Sequence, residues 1–246
     1  MSVQLENDAI LECNYTVMYD DINNKLEMSN IALIKYLEEP GGVQTKKIFG
    51  GMLTPKGAWI LLNWRVKKFK ELYWNEPFKV RTWPAKHMGP FSIRNYEIYN
   101  ELGELTSIAT TKWVIMDIKE KKMVRNIEDI VNKYTEWDKM VFEDDFPRLK
   151  EPKDIEYTYK YIVQRRDIDT NEHVNNVKYL EFAYEVLPKE IYDNVSFKNI
   201  DIMYKHALML GDEVSIGYQK QSIGDKEEYI ITLKSNDKLN AIVRLS

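Results

Sequence analysis

The chain has 246 residues, 35 Lys and Arg against 39 Asp and Glu, a formal net charge of −4 and one cysteine. A single thiol excludes an intramolecular disulfide and a cysteine-cluster metal site, and the acidic balance argues against nucleic acid as a general partner. With 44% hydrophobic and 12% aromatic residues the chain can bury a core, but no apolar run approaches the length of a membrane span.

The N-terminal MSVQLENDAI has no basic stretch leading into an apolar one, so no signal peptide is expected and the cytoplasm is the expected compartment. Residues 15–22, YTVMYDDI, read as a strand entering a polar loop. In MSNIALIKYLEE, residues 28–39, apolar positions recur at helical spacing behind Ser29, a residue type that caps helices. Alternating, β-branched and aromatic segments follow, FKVRTW at 78–83 and KWVIM at 112–116, with a turn signal at Leu102-Gly103-Glu104. DDFPRLKEP, residues 144–152, is charged and proline-bearing and reads as part of a linker.

The same order then returns. YIVQRRDI at 161–168 repeats the Tyr, Val, Asp and Ile of residues 15–22 in register, and VNNVKYLEFAYE at 174–185 falls under residues 28–39 without a gap. Trp74-Asn75-Glu76 corresponds in pattern to Leu210-Gly211-Asp212. In the second helix Val177, Leu180, Tyr184 and Leu187 share a face that Tyr179, Phe182, Ala183 and Val186 widen, while Lys178, Glu181 and Glu185 form a narrow charged strip. Such a helix is expected to be mostly buried, with Asn175 at its N-cap. Strands are expected again at 213–218 and 229–233, before a turn at Ser235-Asn236-Asp237. The expected fold is α+β: two halves, residues 1–143 and 157–246, joined by a linker at 144–156, each a central helix covered by an antiparallel sheet.

The loop before the second helix, DIDTNEHVNN, packs two Asp, three Asn and one His into ten residues. If it is extended, Asp169, Asn171 and His173 point the same way. A carboxylate can attack a carbonyl or draw a proton from water, a carboxamide can position the reactant, and an imidazole can donate a hydrogen bond or shuttle a proton. The helix N-terminus at Val174, Asn175 and Asn176 offers N–H groups to an oxyanion. The first copy has Asn23, Lys25 and Glu27 at the matching places, so the chemistry is particular to the second. The alternative is a loop of Asx-turns with a satisfied histidine.

Other candidates are weaker. Cys13 reads as a small buried residue, and His87 and His206 stand alone, so no metal site is expected. Two basic runs, Arg65-Val66-Lys67-Lys68-Phe69-Lys70 and residues 119–125, read either as solvated strand faces and turns or as docking sites for an acidic partner.

DIDTNEHVNNVKYLEF resembles the active-site segment of the acyl-acyl-carrier-protein thioesterases, which are tandem hotdog-fold proteins. GGMLTPKGAWILLNWRVKKFKELYWNEPFKVRTWPA and NELGELTSIATTKWVIMDIKEKKMVR resemble strands of that family's first domain, so the likeness runs from about Leu11 to near the C-terminus. It implies a tandem hotdog with Asp169, Asn171 and His173 as the catalytic groups of the second half, and a first half that shapes the acyl-chain pocket. It further implies a fatty acyl thioester hydrolysed to free fatty acid without a cofactor, an acidic acyl carrier protein docking through basic surface, and a monomer or homodimer. One departure stands out: Ala207 and Leu208 occupy the places where the family often has Glu, followed in plant members by Cys. An acyl-CoA thioesterase on the same fold, or a non-catalytic acyl-carrier-binding protein, are the alternatives this leaves.

Overall fold

The computed structural model describes residues 2–6, 9–85, 87–224 and 226–246. The chain divides into two compact units, residues 1–62 with 66–145, and residues 63–65 with 146–246.

The first unit contains β1 (Ser2–Glu6), β2 (Ile10–Thr16), a 3-10 turn (Tyr19–Asp21), α1 (Asn30–Phe49), β3 (Leu53–Thr54), β4 (Gly57–Lys68), β5 (Pro77–Pro84), β6 (Ser92–Asn100), β7 (Leu105–Asp117), β8 (Lys122–Met123) and α2 (Glu128–Val131). Its sheet runs β1-β2-β5-β6-β7-β4, antiparallel from β1 through β7. Helix α1 lies against β2, β3 and β5 and buries Ala32, Leu33, Ile34 and Leu37. It outruns the apolar pattern seen at 28–39, continuing through Pro40-Gly41-Gly42 to Phe49. Proline removes a helical hydrogen bond and glycine weakens a helix, so local preference would end it there. Tertiary bonds carry it on: Arg94 Nη2 donates to Gln44 Oε1 (2.5 Å), and Thr45 Oγ1 lies 3.1 Å from Tyr134 Oη.

The second unit contains β9 (Glu156–Ile162), a 3-10 turn (Arg165–Asp167), α3 (Asn176–Glu185), α4 (Lys189–Asn194), β10 (Asn199–Tyr204), β11 (Glu213–Ile223), β12 (Lys226–Ser235) and β13 (Lys238–Leu245). The sheet order is β10-β13-β12-β11-β9, antiparallel throughout. Helix α3 lies on β12 and β13 and buries Val177, Tyr179, Leu180, Phe182 and Ala183. Burying a large apolar side chain of this kind stabilises the fold by roughly 1.5–3 kcal/mol, and this face holds the helix to its sheet. Its charged strip stays at the margin, where Lys178 pairs with Glu181 at 2.6 Å. Both units are thus hotdogs, a central helix covered by an antiparallel sheet.

The repeat extends to individual hydrogen bonds. Asp21 Oδ2 accepts the Met18 N–H (3.0 Å), as Asp167 Oδ2 accepts the Gln164 N–H (2.8 Å). The Asp21 carbonyl accepts the Ser29 N–H, and the Asp167 carbonyl the Asn175 N–H, both at 2.8 Å. Both predicted caps form: Ser29 Oγ accepts the Ala32 N–H (3.1 Å) and Asn175 Oδ1 the Val177 N–H (2.9 Å). Each loop aspartate also takes a tyrosine hydroxyl, but from different elements. Tyr36 on α1 donates to Asp21 (2.5 Å), whereas Tyr161 on β9 donates to Asp167 (2.7 Å). A carboxylate held out of water needs donors, and a helix tyrosine supplies one in the first unit and a strand tyrosine in the second.

Candidate active site

The segment 167–176 is not extended. Ile168 bridges Val174, Asp169 N–H donates to the His173 carbonyl (2.8 Å), and Glu172 N–H donates to the Asp169 carbonyl (3.2 Å). Glu172 takes a left-handed backbone, φ 62°, to close the turn. Asp169 Oδ1 accepts the Asn171 N–H at 2.7 Å, which is an Asx-turn. The expectation that an extended strand aligns Asp169, Asn171 and His173 therefore gives way to a closed turn that carries all three. Asp169 and His173 are half-buried and Asn171 is exposed.

The first unit builds the same turn from other side chains. Asn23 N–H donates to the Glu27 carbonyl (2.8 Å), Asn23 Oδ1 accepts the Lys25 N–H (2.8 Å), and Leu26 has φ 62°. An amide at position 23 thus closes the turn as well as the carboxylate at 169. The turn needs the side-chain oxygen and not the charge.

The helix N-terminus is more committed than its sequence suggests. Val174 N–H donates to the Leu208 carbonyl (2.9 Å) and Asn175 N–H to the Asp167 carbonyl (2.8 Å). Neither is an open oxyanion donor, because both tie the turn to neighbouring backbone. Among the described residues, Asn176 N–H alone of the three has no such bond.

Three residues outside the motif shape this corner. Tyr179 is buried on α3, and its hydroxyl accepts the Leu208 N–H (2.9 Å). Burial pushes its pKa up to about 12, with the charges of Asp212 and Asp169 adding to the rise, so it stays a neutral hydroxyl beside the Asp169 carboxylate. Tyr204, edge-on to Tyr179 with ring centroids 5.3 Å apart, donates to the Asn176 carbonyl (2.9 Å). Asn240 Nδ2 donates to the carbonyls of His206 (3.1 Å) and Ala207 (3.4 Å), fixing the segment that crosses the turn. The only sequence signal for the two tyrosines is helical and strand spacing, which marks them as core.

Ala207 is exposed and adjoins Leu208, whose backbone meets Val174, so the departure from the family pattern lies beside the turn. His206 is exposed on the same segment. In the basic run at 65–70, Lys68 is buried against Glu71 (2.6 Å) and Lys70 pairs with Glu104 (2.7 Å), while Lys67 is exposed. Cys13 is buried. Among the described residues no group of three or more His, Cys, Asp or Glu is placed to hold a metal ion, and no helix is long and apolar enough to cross a membrane.

Residues 9–134 match the model of the acyl-ACP thioesterase N-terminal domain, and residues 148–244 that of the C-terminal domain. The chain belongs to the acyl-ACP thioesterase family. Oleoyl-acyl carrier protein thioesterase 1, chloroplastic, of Arabidopsis thaliana is 27% identical over 173 residues, which cover 63% of this chain and 46% of the relative. Palmitoyl-acyl carrier protein thioesterase, chloroplastic, of Cuphea hookeriana is 26% identical over 155 residues, 60% of this chain and 37% of the relative. The aligned residues thus span about half or less of these curated relatives. An acyl-ACP thioesterase from Bacteroides thetaiotaomicron has the same fold with a TM-score of 0.79 at 20% identity, covering 96% of both chains. The 12:0-ACP thioesterase from Umbellularia californica superposes with a TM-score of 0.85 at 15% identity, covering 96% of this chain and 92% of that one.

Proposed function

We propose that this chain is a thioester hydrolase that cleaves fatty acyl-acyl-carrier-protein to free fatty acid and holo-carrier, at the 169–173 turn of the second unit. The observation that carries the reading is the surplus charge of Asp169. Its turn folds equally well on the neutral Asn23 of the first unit, yet in the second unit a carboxylate stands there, in the turn that also carries Asn171 and His173. Family membership and the relatives' names give the substrate class.

In the proposed reaction the Asp169 carboxylate takes a proton from water as the water oxygen attacks the thioester carbonyl. Asn171 orients the water. The oxyanion is met by His173 and the Asn176 N–H, and the C–S bond breaks as the thiolate leaves and takes up the proton that Asp169 drew from water. The carrier is the acidic partner of a basic surface on this chain, and the compartment is the cytoplasm.

The test is free-thiol release from matched acyl-ACP and acyl-CoA of several chain lengths, with the acid product identified by mass. Turnover of acyl-ACP with higher kcat/KM than acyl-CoA is expected. Turnover of acyl-CoA alone would transfer the reading to the acyl-CoA thioesterase, and binding of acyl-ACP without turnover would make this a carrier-binding protein.

A further inference from the structure

The two units build one more feature on the same backbone with opposite side chains. In the second unit the 3-10 turn Arg165–Asp167 is tied to the turn before β11, with Val163 N–H donating to the Asp212 carbonyl (3.0 Å) and Gly211 N–H to the Val163 carbonyl (3.1 Å). The first unit makes the matching bonds, Val17 N–H to the Glu76 carbonyl (3.0 Å) and Asn75 N–H to the Val17 carbonyl (2.9 Å). By this register Arg165, Arg166 and Leu210 correspond to Tyr19, Asp20 and Trp74. Tyr19 and Trp74 meet edge to face, 6.1 Å between centroids. In the second unit no such pair forms, and an open cleft of about 430 Å³ is lined by Val163, Gln164, Arg165, Arg166 and Leu210.

The scaffold therefore does not require the arginines, and it tolerates an aspartate at the second position. Both guanidiniums are exposed. No carboxylate among the described residues forms an ion pair with Arg165. Arg166 lies by the Tyr161 hydroxyl and feels the charges of Asp167 and Glu181. Those carboxylates are otherwise engaged, Asp167 by Tyr161 and Gln164, and Glu181 by Lys178. Leu210, which lines the cleft with both arginines, leaves 56% of its surface in water. Arginine beside exposed apolar side chains is the composition of an interface centre. On a chain of net charge −4, a local basic spot is what an acidic partner needs to approach in one orientation.

We propose that Arg165, Arg166 and Leu210 form the docking surface for an acidic helix of the protein that carries the acyl thioester. The proposal rests on the thioesterase reading and names where its partner lands: carboxylates of the helix on the two guanidiniums, an apolar side chain in the cleft against Leu210. Asp169 follows Arg166 by three residues, so a carrier seated here has its thioester arm beside the reacting turn.

The experiment compares the unmodified chain, Arg165→Glu, Arg165→Glu/Arg166→Glu and Leu210→Ala, each checked for unchanged melting temperature. Two substrates are used, acyl-ACP and an uncharged acyl-N-acetylcysteamine thioester. The double variant is expected to raise KM for acyl-ACP at least tenfold, and Arg165→Glu several-fold, with kcat/KM for the small thioester unchanged. The steep rise of KM with salt in the unmodified chain is expected to flatten in the double variant. An unaltered KM and salt dependence for acyl-ACP in the double variant overturns the docking surface. If the unmodified chain hydrolyses neither substrate, the thioesterase reading fails by itself, and direct binding of holo-ACP then decides the docking surface. Binding lost in the double variant supports it; equal binding, or none to the unmodified chain, overturns it.

Discussion

Glu71 and Ala207 hold the same place in the two halves of the chain. Each precedes a leucine whose carbonyl receives the amide of the residue before a helix N-cap: Leu72 from Met28 (2.7 Å) and Leu208 from Val174 (2.9 Å). In the first half the carboxylate is 9% exposed and lies 2.6 Å from Lys68 Nζ, which also donates to Asn30 Oδ1 (3.0 Å). In the second half the side chain is an exposed methyl. The backbone accepts glutamate at this place, and the half that carries the 169–173 turn lacks it.

Restoring that group is the first prediction. Ala207→Glu puts a carboxylate at a solvent-exposed position, so stability should change by no more than about 0.5 kcal/mol. A second base beside the turn should raise kcat on acyl-ACP by about tenfold or more, within the span that positioned general bases supply. Stopped-time thiol release by the variant and the unmodified chain measures it. An unchanged kcat would mean that Asp169 needs no such partner.

Asp169 has a structural role and a proposed chemical one, which substitution separates. Asp169→Asn keeps an oxygen for the Asn171 N–H, as Asn23 does for Lys25, so the melting curve should hardly move. Asp169→Ala removes that bond and should cost about 1 kcal/mol. Both should lower kcat by about 100-fold or more, the contribution of a general base. Denaturant melts with parallel rate assays check the pair, and an active Asp169→Asn would remove the carboxylate from the chemistry.

Breaking the buried pair of the first half should be costly. Lys68→Met leaves Glu71 without its cation, and truncating one partner of a buried ion pair costs about 3–5 kcal/mol. Lys68→Met/Glu71→Leu removes both charges and should recover most of that loss. Urea midpoints of the two variants decide it: a double variant as unstable as the single would show that Glu71 is not what Lys68 neutralises.

The caps provide a test of the repeat itself. Ser29→Ala and Asn175→Ala each delete one side-chain bond to a helix N–H, and each should destabilise by about 1 kcal/mol. The expected result is two similar shifts in urea midpoint. A negligible effect at either position would show that its helix starts elsewhere.

Much of this architecture is written locally. Ser29 and Asn175 announce their helices because capping depends on the side chain at one position, and the repeat is visible because both halves need the same strand, turn and helix. What escaped the sequence depends on distant partners. Helix α1 passes Pro40 because Arg94 and Tyr134, far along the chain, hold Gln44 and Thr45. The bend of the 167–176 segment turns on a left-handed Glu172, where no glycine marks the site. The loss of Val174 and Asn175 as oxyanion donors follows from carbonyls at Leu208 and Asp167 that claim their amides. Composition pointed to the candidate side chains, while the backbone that carries them was set by contacts that spacing does not reveal.

The most direct test is thiol release from a medium-chain acyl-ACP by the purified chain, with His173→Ala run beside it and both confirmed folded. Hydrolysis by the unmodified chain that falls about 100-fold or more in the variant is the predicted result. Equal hydrolysis by the two, or none by the unmodified chain at any chain length, would contradict a thioester site at this turn.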